Sequence, residues 1–149
     1  MFFTPASKFE LNPTHCGSQW VALPTDEELV LKVVLMPRDC NHSGDIFGGW
    51  VMAQVDLAGA VIATHYAGSR MLTVAVNKFV FKQAVKVGDL LSFFAKLERI
   101  GRTSITVKVE VFAEKMNTQG NHIKVTEASL TYVSLDEDGR PREIVKTKI

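Results

Sequence analysis

Two cysteines in 149 residues, Cys16 and Cys40, form no close-spaced pair. That excludes a disulfide framework and a thiolate metal site, and it fits a reducing cytoplasm. A charge surplus is missing as well. Seventeen Lys and Arg against 16 Asp and Glu leave a net charge of +1, too little to hold nucleic acid or an anionic membrane. No stretch reads as a transmembrane helix, because Asp56 interrupts the one long apolar run, Ile46 to Ala63, where an Asp costs roughly 2.5–3.5 kcal/mol. The first twenty residues lack the basic start and sustained apolar stretch of a secretory signal. Repeats and low-complexity tracts are absent, and the five prolines and ten glycines mark turns. A Gly-x-Ser-x-Gly elbow is absent too, which argues against a serine hydrolase.

What is present amounts to one domain and one core, with 46% hydrophobic residues. Residues 1–28 read as an N-terminal extension and residues 29–149 as a single unit. LVLKVVLMP, from Leu29 to Pro37, has the composition of a buried strand stopped by a proline. A polar loop, RDCNHSGDIFGG, leads into a run of Ala, Met, Leu, Val and Gln too long for a strand, so a helix is expected up to Gly68. Apolar residues occupy nearly every side of it, which predicts a helix wrapped by the rest of the fold. Four strands follow: Met71–Phe81, Asp89–Ile100, Thr103–Glu114 and His122–Leu135. Ile105, Val107, Val109 and Val111 alternate with Thr106, Lys108 and Glu110, giving one dry and one wet face. In the last strand the apolar parity changes between Val125 and Ala128, which predicts a β-bulge near Thr126 and Glu127.

A strand, a long helix and four antiparallel strands form the order of the hotdog fold, an α+β class in which a curved sheet of about five strands wraps one central helix. MPRDCNHSGDIFGGWVMAQVDLAGAVIA resembles the signature of the cytosolic acyl-CoA thioester hydrolases that carry this domain. LTVAVNKFVFKQAVKVGD, GRTSITVKVEV and LTYVSLDEDGR are similar to later segments of that family in order and spacing. The likeness runs from about Val34 to Arg142. It implies hydrolysis of a fatty acyl-CoA to free acid and CoA, with coenzyme A entering only as part of substrate and product and no metal or organic cofactor. It also implies a homodimer with sites at the shared interface, often built further into a hexamer as a trimer of dimers.

Thioester hydrolysis needs a grip on the developing oxyanion and a group that delivers the nucleophile. Gly48 and Gly49 lie where the helix begins, so their backbone amides are unpaired, open to a ligand and backed by the positive end of the helix dipole. Asn41, in the loop at the same entrance, is grouped with them as a substrate contact. Asp56 offers a carboxylate either to deprotonate water or to attack the carbonyl and form an anhydride. Asp45 has two readings, a helix cap or a site residue facing the partner chain's Asp56, where the resemblance places it. Asp56 lies eight residues beyond Gly48, roughly 12 Å along a helix. One carbonyl cannot touch both, so if both act on it the carboxylate comes from a second chain, and the minimal active unit is a dimer.

Coenzyme A brings phosphates. RIGRTS places Arg99, Arg102, Thr103 and Ser104 in a turn between two strands, read either as a solvated hairpin or as CoA contacts, and the family likeness favours contacts. Lys82 and Lys86 are further candidates. Asn77 stands where relatives often carry an acidic residue and is grouped with the CoA contacts. Asp39, Cys40 and His42 match no zinc spacing, and His65 reads as a partner for the helix C-terminus. Gly59, Ala53, Ala60 and Ala63 read chiefly as close packing on the sheet. The rival reading from another class is a non-catalytic acyl-CoA sensor using the same groove. A hydratase ranks lowest, because the helix carries no His before His65.

Overall fold

A computed structural model describes residues 20–145 except 117 and 119. Its elements are β1 (Glu28–Val34), α1 (Gly48–Ala67), β2 (Arg70–Phe81), β3 (Leu90–Ile100), β4 (Ser104–Glu114) and β5 (His122–Leu135), with a single 3-10 turn at Pro37–Asp39. The five strands form one antiparallel sheet in the order β1, β3, β4, β5, β2, so the two strands flanking α1 in sequence are opposite edges. The helix therefore crosses the whole sheet. It ends at Gly68, whose left-handed backbone (φ 62°) turns its amide onto the Thr64 carbonyl. Among the described residues no helix is long and apolar enough to cross a membrane.

The core lies between α1 and the concave face of the sheet. Val51, Val55, Ala58, Ile62 and Ala63 fall on one helical stripe and pack on Phe93, Val107, Val109, Leu130 and Tyr132. The β4 alternation is as expected, with Ile105 to Val111 inward at odd numbers. Opposite β5, Val111 pairs with Thr126 and Phe112 with Lys124, so Val125 is the extra residue. This bulge, one residue before the predicted place, lets Ile123 and Val125 and then Ala128, Leu130 and Tyr132 all face inward. Gly59 is where helix and sheet come closest. A Cβ there would lie 2.3 Å from Tyr132 Oη, and that hydroxyl donates to the Asp56 carbonyl at 2.8 Å.

Two expectations are corrected. β1 is an edge strand with none of its residues buried, because only β3 pairs with it and the helix packs chiefly on β3 and β4. Nor is α1 wrapped on all sides: Leu57 and Val61 are 59% and 51% exposed, and the edge strand β2 leaves Leu72, Val74 and Val76 exposed as well. The proposed extension over residues 1–28 is testable only from residue 20, the first nineteen lying outside the described residues. From there Val21 bridges His122, Asp26 meets Lys96 at 2.6 Å and Glu27 meets Lys108 at 3.2 Å.

The convex face carries a chain of ion pairs. Glu27 and Glu110 share Lys108, Glu110 also meets Lys124, and Glu127 joins Lys124 to Lys78 and Lys82. Burial pushes the Glu110 carboxyl up, but the Lys108 and Lys124 ammonium groups outweigh it and hold the pKa at about 2. A depressed carboxylate stabilises the fold fully above its unfolded pKa, near 4.3, and the contribution is lost as pH falls through about 2. Acid melting curves of Glu110→Gln are thus expected to show a smaller drop in Tm between pH 5 and 2 than the parent, roughly. Gly59→Ala, forced against Tyr132, should cost about 1–3 kcal/mol in urea unfolding. The cost should shrink in a Tyr132→Phe background, which removes the hydroxyl in the way.

Candidate active site

The helix starts without a side-chain cap. Phe47 is the N-cap residue, its extended backbone brings the chain in, and no acidic residue occupies the first turn. Asp45, one of whose two readings was the cap, does not serve as one. Trp50 and Val51 turn their amides back to the Phe47 carbonyl at 3.0 and 3.3 Å. Gly48 and Gly49 precede them, where no helical carbonyl is available.

The loop before this tip is held from both sides. Asn41 Oδ1 accepts the Ser43 and Asp45 amides at 2.9 and 3.1 Å, and the Asn41 amide donates to the Asp45 carbonyl at 2.8 Å. Asn41, grouped with the substrate contacts, thus uses its side-chain oxygen to shape the loop. On the other side Asp45 bridges Lys86, and the Ile46 amide donates to the Val85 carbonyl at 3.1 Å. A pocket of about 350 Å³ opens here, bounded by Asp45, Gly48, Val51, Phe81 and residues 82–85. Among the described residues Asp45 Oδ1 is buried without a hydrogen-bond partner, a condition shared by Glu27 Oε2 and Thr126 Oγ1 outside this pocket. Phe81 closes on the tip, its ring edge 3.3 Å from where a Gly48 Cβ would stand. Nearby Cys40 is no rival nucleophile: burial, then the charges of Asp39 and Asp45, push its thiol pKa up and keep it protonated.

Asp56 faces a second pocket, of about 410 Å³, running from Gly49 past Met52 and Ala53 to Thr73 and Phe79. Thr73 Oγ1 donates to Asp56 Oδ1 at 2.7 Å. Tyr132 holds the Asp56 backbone, and burial followed by the Asp56 charge pushes its phenol far above the ordinary range, so it remains a donor. Gly48 lines the first pocket and Gly49 the second, so the first turn of α1 stands between them. Gly49 and Asp56 share a pocket, yet seven residues of helix, roughly 10 Å, keep them from one carbonyl within a chain.

The expected CoA contacts lie elsewhere. Arg99, Arg102, Thr103 and Ser104 form the β3–β4 hairpin, closed by the Gly101 amide on the Ser104 carbonyl at 2.7 Å. The Ser134 amide donates to the Thr103 carbonyl. Ser104 pairs with Val133, whereas Phe81, at the helix tip, pairs with Thr126. Seven residues of strand, roughly 23 Å, separate these points, so one chain does not bring the hairpin to its own helix tip. Asn77 is the extra residue of a bulge between Val76 and Lys78, and its amide donates to Thr131 Oγ1 at 2.7 Å. Thr131 also meets Thr106, on the convex face, so Asn77 is turned from both pockets. Sequence reasoning missed Thr73 and residues 83–85, while Lys82, one of its further CoA candidates, does line the tip pocket. Thr73 lies in β2, where bulges at Val74 and Asn77 break the two-residue parity, and residues 83–85 carry no periodic signal.

Comparison with known proteins bears on the fold and the family. The Thioesterase superfamily sequence model matches residues 43–119. The acyl-CoA thioester hydrolase YciA of Salmonella typhimurium is 43% identical over 119 residues, 78% of this chain and 90% of that protein. The hexameric thioesterase y2039 of Yersinia pestis superposes with a TM-score of 0.77 at 41% identity, covering 83% of this chain and 99% of that one. HI0827, a hexameric broad-specificity acyl-coenzyme A thioesterase, gives 0.77 at 38% identity, over 84% and 86% of the two chains.

Proposed function

The chain belongs to the thioesterase superfamily, among its acyl-CoA thioester hydrolases, and on that premise we propose that it cleaves a fatty acyl-CoA at sites shared between two subunits. The observation that carries the proposal is the meeting of an uncapped helix tip with a buried, unpartnered carboxylate oxygen in one pocket. The thioester carbonyl sits against the Gly48 and Gly49 amides, whose dipole steadies the negative charge that develops as the carbonyl becomes tetrahedral. Asp56 of the partner subunit, aimed by its threonine, takes a proton from water or attacks the carbonyl directly; Asp45 orients water or substrate. The thiolate of CoA leaves and takes a proton; on the direct route water then opens the anhydride, restoring the aspartate, and the acid is released. Only protein groups and water enter these steps.

A second copy also accounts for the open faces. Antiparallel pairing across the free β2 edge covers Leu57, Val61, Leu72, Val74 and Val76, and it swings the partner's hairpin, with Arg99, Arg102, Thr103 and Ser104, towards this chain's helix tip for the CoA phosphates. Asn77, on the convex face, has the weakest claim as a CoA contact. Three such dimers make a hexamer, the assembly of the y2039 and HI0827 proteins.

One observation favours a second assignment of the base. Asp45 Oδ1 lacks a partner, whereas Asp56 Oδ1 is already engaged by Thr73. Asp45→Asn and Asp56→Asn decide the roles when thiol release and binding of a non-hydrolysable acyl-CoA ether are both measured. The residue acting as base or nucleophile should lose about 10²–10⁴-fold in kcat with binding kept, and the orienting one about 10–100-fold. Turnover unchanged in both would remove the carboxylates from the chemistry. Absence of turnover in the parent protein, with the ether bound, would leave a sensor.

A further inference from the structure

The loop between β2 and β3 supplies a wall of the tip pocket; the Lys82 amide still donates to the Val125 carbonyl of β5 at 2.8 Å, and beyond it the loop leaves the sheet. What fixes it is a buried ion pair contributed by residues outside the pocket. Asp89 begins the approach to β3, and its carboxylate is only 5% exposed. Asp89 Oδ2 accepts the Lys86 amide at 3.0 Å and the Lys115 ammonium at 2.7 Å. Lys115, just beyond β4, also donates to the Ala84 carbonyl at 2.8 Å. The Asp89 amide returns to the Lys86 carbonyl, and its carbonyl accepts the Leu35 amide. One ammonium group thereby ties both ends of Ala84–Asp89 together, and the same stretch holds Asp45 through its bridge to Lys86 and Ile46 through the Val85 carbonyl.

We propose that Lys115 and Asp89 are positioning residues for thioester hydrolysis: their ion pair sets the height of the 84–86 backbone, and through it the aim of the Asp45 carboxylate beside Gly48. This rests on the reading of the tip pocket as the active site. Neither side chain lines that pocket, so neither touches substrate; they act by fixing where Asp45 stands. A misplacement near 1 Å at a reacting group costs up to about a hundredfold in rate, so a brace of this kind has kinetic weight.

The test compares Lys115→Met, Lys115→Arg and Asp89→Asn in the assembled enzyme, well below each variant's Tm. Lys115→Met is expected to lower kcat about tenfold or more with KM changed less than about threefold, and Lys115→Arg, which retains a cation, to recover most of it. The Asp45→Asn background separates positioning from general damage. There Lys115→Met should have little further effect, because the group it aims is gone. Parental kcat in Lys115→Met, or an equal loss in both backgrounds, overturns the inference. Should Lys115→Met fail to fold, Asp89→Asn, isosteric and still able to accept from the Lys86 amide, carries the same readings. If Asp45→Asn itself keeps parental turnover, it is the active-site reading that fails.

Discussion

A helix rises 1.5 Å per residue, and that fixed advance governs this molecule. The two groups best suited to a thioester, an amide tip at Gly48 and Gly49 and a carboxylate at Asp56, stand on one rod roughly two turns apart. No side-chain rotamer closes such a gap. The sheet cannot bend the helix either, because Val51 to Ala63 seat it along the whole concave face, with Tyr132 locked against Gly59. A shared site between two copies follows as the economical arrangement, and the free β2 edge and bare outer stripe of α1 are what a second copy would cover.

The same constraint explains features that reduce stability in the single chain. A helix start without a side-chain cap forgoes about 1 kcal/mol, and Asp45 leaves a buried oxygen without a partner. Both lie at the tip pocket, where donors and acceptors already satisfied within the chain would have nothing to offer a ligand. Elsewhere many polar groups are engaged, with Glu27 Oε2 and Thr126 Oγ1 the exceptions among the described residues: threonines of the convex face pair with one another, its lysines and glutamates form a connected chain, and Asp89 is enclosed by Lys115 and the Lys86 amide.

Much of this was legible in the sequence, for identifiable reasons. The strands and the helix end read correctly because each is bounded by turn residues, and the Gly68 stop needs only a left-handed glycine. The parity change in β5 betrayed its bulge because a two-residue period cannot shift without an extra residue. What failed was tertiary: an apolar β1 looked buried but lies at an edge, and an all-round apolar helix looked wrapped when half of it faces outward. Composition does not tell a face covered by the chain's own sheet from one suited to another copy. At the site, the glycines and both aspartates were visible, being polar or small residues in an apolar context. The partners that shape them, Thr73 and the Lys115–Asp89 pair, were not, because they come from strands and loops far along the chain.

Mixing two inactive variants tests the shared site most directly. Asp45→Asn and Asp56→Asn subunits, unfolded and reassembled together at equal amounts, form mixed pairs in which one of the two sites retains its own Asp45 and receives an intact Asp56 from its neighbour. Sharing between chains predicts recovery of about a quarter of parental turnover from the mixture, with almost none from either variant alone. Turnover no higher in the mixture than in the separate variants would place all the chemistry within single chains and contradict the account.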